Sequence, residues 1–368
     1  MTDHSKRIES LDAFRGLAVA GMILVSTPGT WSAVYPPLDH AAWNGWTLTD
    51  LVFPFLLFAM GAAVPLSHDR RKDAAKRLPS HVLRRTALLF GLGLVLNVIE
   101  SAGPAALATF RIPGVLQRIA VVYALVALTT EMMTERAQAV LVTAVLGLYW
   151  AALTWIPVPG AGPGVLTPSN NLASFVDQRL FGRHMLTPSF DPEGFVSTLP
   201  AFATAMMGVF AGRSLKRSTS GAAVWRLCGA GVALTIAGLA WGRVFPINKN
   251  LWTSSFAVLT AGLAALVLAL LHWLLDLREN HAPGRPLSAL GRNALAAYFL
   301  SVGLDSLLTR FAIAGSSIKS LVFRMGFLSW LRPCCGDRAA SLAYAVVYVA
   351  VWAAVMVEMR RRHIFISI

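Results

Sequence analysis

LTDLVFPFLLFAMGAAVPLS, residues 48–67, holds one ionisable side chain, Asp50, in twenty positions. As a helix rising 1.5 Å per residue it would reach about 30 Å, the thickness of a bilayer's hydrocarbon core. It is apolar on every side, so it needs either lipid or a very large core around it. Similar runs recur along the chain, at roughly 13–27, 84–101, 112–130, 137–156, 196–213, 224–242, 253–275, 287–308 and 340–359. With 56% hydrophobic and 14% charged residues among 368, against roughly 25% charged in average soluble proteins, the sequence leaves little material for a soluble domain. Mean hydropathy is +0.60. The fold class expected is all-α: a polytopic transmembrane helical bundle of about ten spans, with residues 1–368 forming one domain.

The net charge of +14 does not indicate a nucleic-acid partner, because the basic residues gather in short loops between apolar runs. With the N-terminus placed in the cytoplasm, that side holds 21 Lys and Arg and the other side 10, so both termini are expected inside. Arg70, Arg71, Lys72, Lys76 and Arg77 are the strongest single vote. The first span follows Lys6 and Arg7 and lacks a small-residue cleavage site, which reads as an uncleaved anchor. Cys228, Cys334 and Cys335 give no metal-ligand spacing, and no metal is expected. The segment 309–339 carries five basic residues and is expected to hold a re-entrant or interfacial helix around 321–331. No inverted repeat of the kind found in many transporters is visible. Two extracytoplasmic loops stand out: 28–47, rich in Trp, Tyr and Pro, and 157–195, too long for a plain connector.

His40 lies in the first loop, just before the 48–67 run. Imidazole takes and returns a proton near neutrality, but a histidine among Trp43 and Trp46 also suits an aromatic belt at the membrane surface. Asp50, ten residues on, either orients that imidazole or caps the helix. Asp12 and Arg15, spaced i,i+3 at the start of the first run, form an ion pair or an anion contact. Arg118 falls about two turns inside a span and must meet a partner, a cavity or a ligand. FPINKNLWTSS, 245–255, concentrates Asn248, Lys249, Asn250 and three hydroxyls at one span end, suited to a sugar or phosphate or to helix capping. Asp191 and Glu193 suit an ammonium-bearing substrate, although acidic residues are ordinary at helix N-termini.

Six ordered stretches, SLDAFRGLAVAGMILV (10–25), HAAWNGWTLTDLVFPF (40–55), RIPGVLQRIA (111–120), FDPEGFVSTLP (190–200), FPINKNLWTSS (245–255) and LGRNALAAY (290–298), resemble the transmembrane part of heparan-α-glucosaminide N-acetyltransferase and its shorter bacterial relatives, a form without the large luminal domain. The resemblance implies transfer of acetyl from cytoplasmic acetyl-CoA to the amine of a glucosamine unit across the membrane. It makes His40, which opens the H-A-x-W-x-G-x-T stretch, the catalytic base or acetyl carrier, with Asp50 holding the ring. Relatives tend to have Asn where this chain has Ser26, which leaves Ser26 or Asn44 to donate to the acetyl carbonyl. Arg118, Arg15 and Lys249, with Asn248 and Asn250, are the expected contacts of acetyl-CoA. Asn44, Trp43, Asp191 and Glu193 are the expected contacts of the sugar. A homodimer and a bacterial inner membrane are implied as well. A transporter of glucosamine or N-acetylglucosamine, and an acyltransferase acting on lipid-linked or cell-wall glycans, are the alternative functions.

Overall fold

A computed structural model describes residues 8–68, 78–101, 108–218, 220–282, 284–313 and 315–366. The basic residues at 6–7 and 70–77 that orient the chain lie outside the described residues. Every expected span is helical: α1 (Glu9–Ser26), α2 (Leu48–His68), α3 (Leu78–Glu100), α4 (Val115–Met132), α5 (Glu135–Trp155), α7 (Thr198–Arg217), α8 (Gly221–Trp241), α9 (Ser254–Leu271), α11 (Ala294–Arg310) and α13 (Ser329–Arg361). Short helices α6 (Leu172–Phe181), α10 (Gly284–Arg292) and α12 (Ile318–Phe323) lie between them. The protein is thus an all-α polytopic membrane protein.

The count of about ten spans is not met by composition, because seven helices among the described residues are long and apolar enough to cross a membrane. The 18-residue α1 carries Glu9, Asp12 and Arg15. Helix α7 is rich in small residues and ends in Arg213, Lys216 and Arg217. The expected span 287–308 breaks at Asn293 into α10 and the 17-residue α11. These three need not be lipophilic all round, since other helices cover them. The segment around 321–331 is helical, widens into a π-turn at Arg324–Leu328 and runs into α13, which kinks at Gly336 (φ 79°).

Helix α7 packs against α2, α4, α5, α8 and α9. Its contact with α2 is made through glycine: a Cβ on Gly61 would strike the Ala205 carbonyl, and Cβ atoms on Gly208 and Gly212 would strike the carbonyls of Phe58 and Ala62. Small residues four apart let two backbones approach where lipid supplies no hydrophobic force between helices. Phe14, Phe58, Trp252 and Phe256 fill the space beside this seam, each at most 1% exposed.

Hydrogen bonds tie the ends of the chain to one end of the bundle. The Asp276 carboxylate accepts from the Glu9 N–H at 3.0 Å, capping α1, and from His272 Nδ1 at 2.7 Å. Asn293, at the α10–α11 break, accepts from the Ile366 N–H and donates to the Ile364 carbonyl. The C-termini of α1, α3, α5, α8 and α11 and the N-termini of α2, α4, α7 and α9 meet at the other end. There the loops 27–47, 108–114, 156–197 and 242–253 close over the bundle.

Candidate active site

After the turn Pro36–Leu38, the Asp39 carboxylate accepts from the His40 N–H at 2.8 Å, and Thr47 Oγ1 donates to the Asp39 carbonyl at 2.6 Å. This folds the loop back onto the first turn of α2. Asp50, 1% exposed, sits under it. Its Oδ2 accepts from the N–H groups of Ala41 and Thr47, and its Oδ1 stands 2.7 Å from His40 Nδ1. An ionised carboxylate only accepts, so Nδ1 carries the proton and Nε2 presents the lone pair. The imidazole is half-exposed.

Lys249 completes this group. Its Nζ lies 3.1 Å from His40 Nδ1, 3.3 Å from Nε2 and 3.7 Å from Asp50 Oδ1, so it faces the ring between the two nitrogens. Burial pushes its ammonium below the ordinary value, opposed by the charges of Glu193 and Asp50. The lysine is held there by a rigid turn. Asn248, fully buried, accepts from the Leu251 N–H and donates to Asn44 Oδ1 at 3.1 Å, while Gly45 N–H donates to the Ile247 carbonyl at 2.7 Å. Trp252 takes a left-handed φ of 48° to turn into α9, and its indole donates to Thr204 Oγ1. Asn44 and Asn248 therefore dock the loop of Lys249 onto the loop of His40. Asn250 is half-buried and makes no side-chain hydrogen bond among the described residues.

Beside it lies an acidic cluster. Arg111 grips Asp191 through Nε (2.8 Å) and Nη2, which also meets Glu193. Asp191 accepts as well from the N–H groups of Leu186 and Glu193, so its oxygens are filled by the protein itself. Burial alone would raise the Asp191 carboxyl, but Arg111 outweighs it and holds the group below the usual carboxylate range. Asp177 accepts from the Phe195 N–H at 2.8 Å, and burial, with the like charge of Asp191, pushes its carboxyl up to about 6. Arg118 is 3% exposed, donates to the Gly194 carbonyl at 3.0 Å and lies over the Trp252 ring, while its Nε and Nη1 find no partner among the described residues. Trp43 donates to the Leu166 carbonyl at 2.6 Å and meets the Phe190 ring, pinning the long loop over the site.

The expected acetyl-CoA contacts do not form one group. Lys249 belongs to His40, Arg118 to the Gly194–Ser197 turn, and Arg15 lies at the opposite end, 3.4 Å from Asp12. Arg15 lines a cavity of about 330 Å³ with Arg85 and Arg292. That cavity follows α2 from Ser67 to Leu56, about 16 Å of helix, between apolar walls. Ser26, the last residue of α1, makes no bond to His40; it lines a second cavity, of about 990 Å³. Tyr298 lines both cavities. Arg85, Arg292, Tyr298 and a buried pair, Lys319 Nζ to Asp305 at 2.8 Å, are missed by sequence reasoning. Their signal was present, as ionisable residues inside apolar runs.

The family described as heparan-alpha-glucosaminide N-acetyltransferase, catalytic, matches residues 7–242. Over 353 residues, 79% of this chain, the sequence is 31% identical to heparan-alpha-glucosaminide N-acetyltransferase of Homo sapiens, and over 351 residues, 80% of the chain, 29% identical to that of Mus musculus. The alignments take in 52% and 53% of those proteins, so the chain spans about half the length of the curated relatives it matches.

Proposed function

The chain belongs to the heparan-alpha-glucosaminide N-acetyltransferase family, and on that premise we propose that residues 1–368 form one membrane-embedded domain that moves acetyl from acetyl-CoA to the amine of a glucosamine-type sugar. The observation that carries the proposal is the His40–Asp50–Lys249 group: a half-exposed imidazole whose Nδ1 is fixed by a buried carboxylate, leaving Nε2 as the reactive nitrogen. In the direct route, Nε2 removes a proton from the acceptor ammonium and the freed amine attacks the thioester carbonyl. The C–N bond forms, the C–S bond breaks, the imidazolium returns its proton to the leaving thiolate, and the second proton of the acceptor nitrogen is released to solvent as the neutral amide forms. Lys249 offsets the negative charge that develops on the carbonyl oxygen, a role its place beside the ring suits better than gripping CoA.

The 330 Å³ cavity fits the donor. Arg15, Arg85 and Arg292 supply charge for phosphates at one end, and its apolar length accepts a thin acyl-carrying arm directed toward Tyr298. Orientation follows in the proposal: the end with Arg15 faces the cytoplasm with both chain termini, His40 faces the far side, and the membrane is a bacterial inner membrane. Cavities reaching Tyr298 from both ends are what a transporter would also need, and this is the rival function.

The test is to supply the purified protein with acetyl-CoA and glucosamine or short chitosan oligomers, and to follow N-acetylated product by mass spectrometry. Wild-type product with loss of about a thousandfold in His40→Ala supports the proposal. Equal product from both removes His40 from the chemistry. No product, with sugar uptake into proteoliposomes lacking acetyl-CoA, makes the protein a transporter.

A further inference from the structure

The two cavities enter the bundle from opposite ends and share one wall. The 330 Å³ cavity begins among Arg15, Arg85 and Ser67, and the 990 Å³ cavity opens beside the exposed Arg310 and Arg324. Leu295 and Tyr298 of α11 line the first, and Tyr298, Val302, Ser306 and Thr309 line the second. These positions follow one another at intervals of three or four, so a single face of α11 borders both cavities. Among the described residues, Tyr298 is the only one common to the two walls. At its depth the partition between them is therefore one side chain thick.

That side chain suits the task. Tyr298 is 7% exposed and packs into the main apolar core of the bundle, which holds the ring in place. The other residues of the shared face are smaller, and none of them carries a ring. Charged and hydroxyl groups line both cavities, so both are polar and roomy enough to hold water. Joined, they would form a wet path from one end of the bundle to the other. An apolar constriction interrupts such a path, because water does not bridge a gap that offers it no partners.

We propose that the Tyr298 ring is the seal of a passage through the bundle, closing the 330 Å³ cavity against water and solutes that enter the 990 Å³ cavity. The ring does this by filling space, so its hydroxyl is dispensable. The seal itself stands on the two cavities and their shared wall. Its use rests on the acetyltransferase function: with the donor's acyl arm in the 330 Å³ cavity, the ring keeps bulk water from the thioester, whose hydrolysis would break the C–S bond and waste the acetyl group as acetate.

The experiment reads which side of the membrane reaches each cavity. With Cys228, Cys334 and Cys335 replaced by serine, Leu295→Cys places a thiol in the 330 Å³ cavity and Ser306→Cys one in the 990 Å³ cavity. Right-side-out and inside-out vesicles are treated with a membrane-impermeant sulfonate thiosulfonate, an anion that the arginines at both mouths admit. The expected result is labelling of the two thiols from opposite sides, each roughly tenfold faster from its own. Adding Tyr298→Ala should let the thiol at 295 react from both sides, whereas Tyr298→Phe and Val302→Ala should leave the sidedness intact. The second readout is free CoA released from acetyl-CoA without an acceptor, which should rise roughly tenfold in Tyr298→Ala and not in Tyr298→Phe. Thermal unfolding of each variant separates an opened seal from a lost fold. Labelling at 295 from both sides with Tyr298 intact overturns the proposal, as does sidedness that survives in a folded Tyr298→Ala protein. Sidedness lost while hydrolysis stays at the wild-type rate, in a protein that forms acetylated product, overturns the protection of the thioester. Sidedness lost in a protein that forms no acetylated product keeps the seal and removes the acetyltransferase.

Discussion

Asp50→Asn tests the centre of the proposed chemistry with almost no change in shape. The Asp50 Oδ2 position accepts from the N–H groups of Ala41 and Thr47. In the amide, the carbonyl oxygen must stay there, since the opposite flip would set an NH₂ against two backbone donors. The NH₂ then faces His40 Nδ1, now 2.7 Å from a carboxylate oxygen. To accept that bond the ring must place its proton on Nε2, where the reaction needs a lone pair. Recovering the productive tautomer opposes two donors at a buried site and loses a charge-assisted bond, costs of about 1–3 kcal/mol and about 1.5–3 kcal/mol. Together they give roughly 2.5–6 kcal/mol, a fall in kcat of about 10²–10⁴-fold. The KM for acetyl-CoA should hold, because Asp50 does not line the 330 Å³ cavity. The assay is initial-rate N-acetylation in detergent over a range of both substrates. A control is Asp276→Asn, in the other His–Asp pair, where the amide oxygen can still accept from the Glu9 N–H; loss of the charge-assisted bond to His272 should lower the melting temperature and leave kcat near wild type. An Asp50→Asn enzyme within fivefold of wild type refutes the role of Asp50 in fixing the ring.

Lys249→Met should lower kcat by about 10²–10³-fold if its ammonium stabilises the carbonyl oxygen, and stopped turnover with unchanged acetyl-CoA affinity would separate this from a CoA contact. Arg85→Gln should raise the KM for acetyl-CoA several-fold with kcat unaltered; an unchanged KM places the phosphates elsewhere. Asp177, with its carboxyl raised to about 6 in the folded protein from 3.8, binds its proton more tightly folded than unfolded. Its contribution is therefore favourable below about pH 4 and is lost as pH rises from 4 to 6, about 3 kcal/mol by the size of the shift. Asp177→Asn should raise stability at pH 7 and flatten that limb of the melting curve, and a variant with the wild-type pH dependence would contradict it. Gly208→Ala should destabilise by about 1–3 kcal/mol or stop expression, as its Cβ meets the Phe58 carbonyl.

The helices were legible because lipid imposes one rule on every span: about 20 residues, few charges, all backbone groups bonded within the segment. The rule fails where protein replaces lipid. Helix α7 is wrapped by five others, so Thr204 and the glycines at 208 and 212 serve packing, and a hydropathy criterion undervalues it. The break at Asn293 was hidden for a different reason. LGRNALAAY carries no proline, and the cause is distant: Asn293 bonds residues 364 and 366, some seventy positions away. At the site, the pairing of His40 with Asp50 could be anticipated from ten residues of separation. Lys249 was expected to meet phosphate, because the density of polar groups in NKNLW showed that the turn mattered but not what it faced. Its position follows from Asn248 docking on Asn44, a contact 204 residues apart in sequence.

The two His–Asp pairs show why spacing alone does not identify a catalytic histidine. His272 and Asp276, at i,i+4 on one helix, are an easier pairing to foresee than His40 and Asp50, and both rings stand 2.7 Å from their carboxylates. Yet His272 is fully buried, its Nε2 has no partner among the described residues, and Asp276 also receives the first amides of α1. No substrate proton can reach that ring without opening the bundle. His40 has the same bond at Nδ1, a cation at hand and a half-exposed ring. The chemical difference lies in the second ring nitrogen, whose access is decided by the tertiary placement of the 27–47 loop rather than by the local sequence that pairs the first.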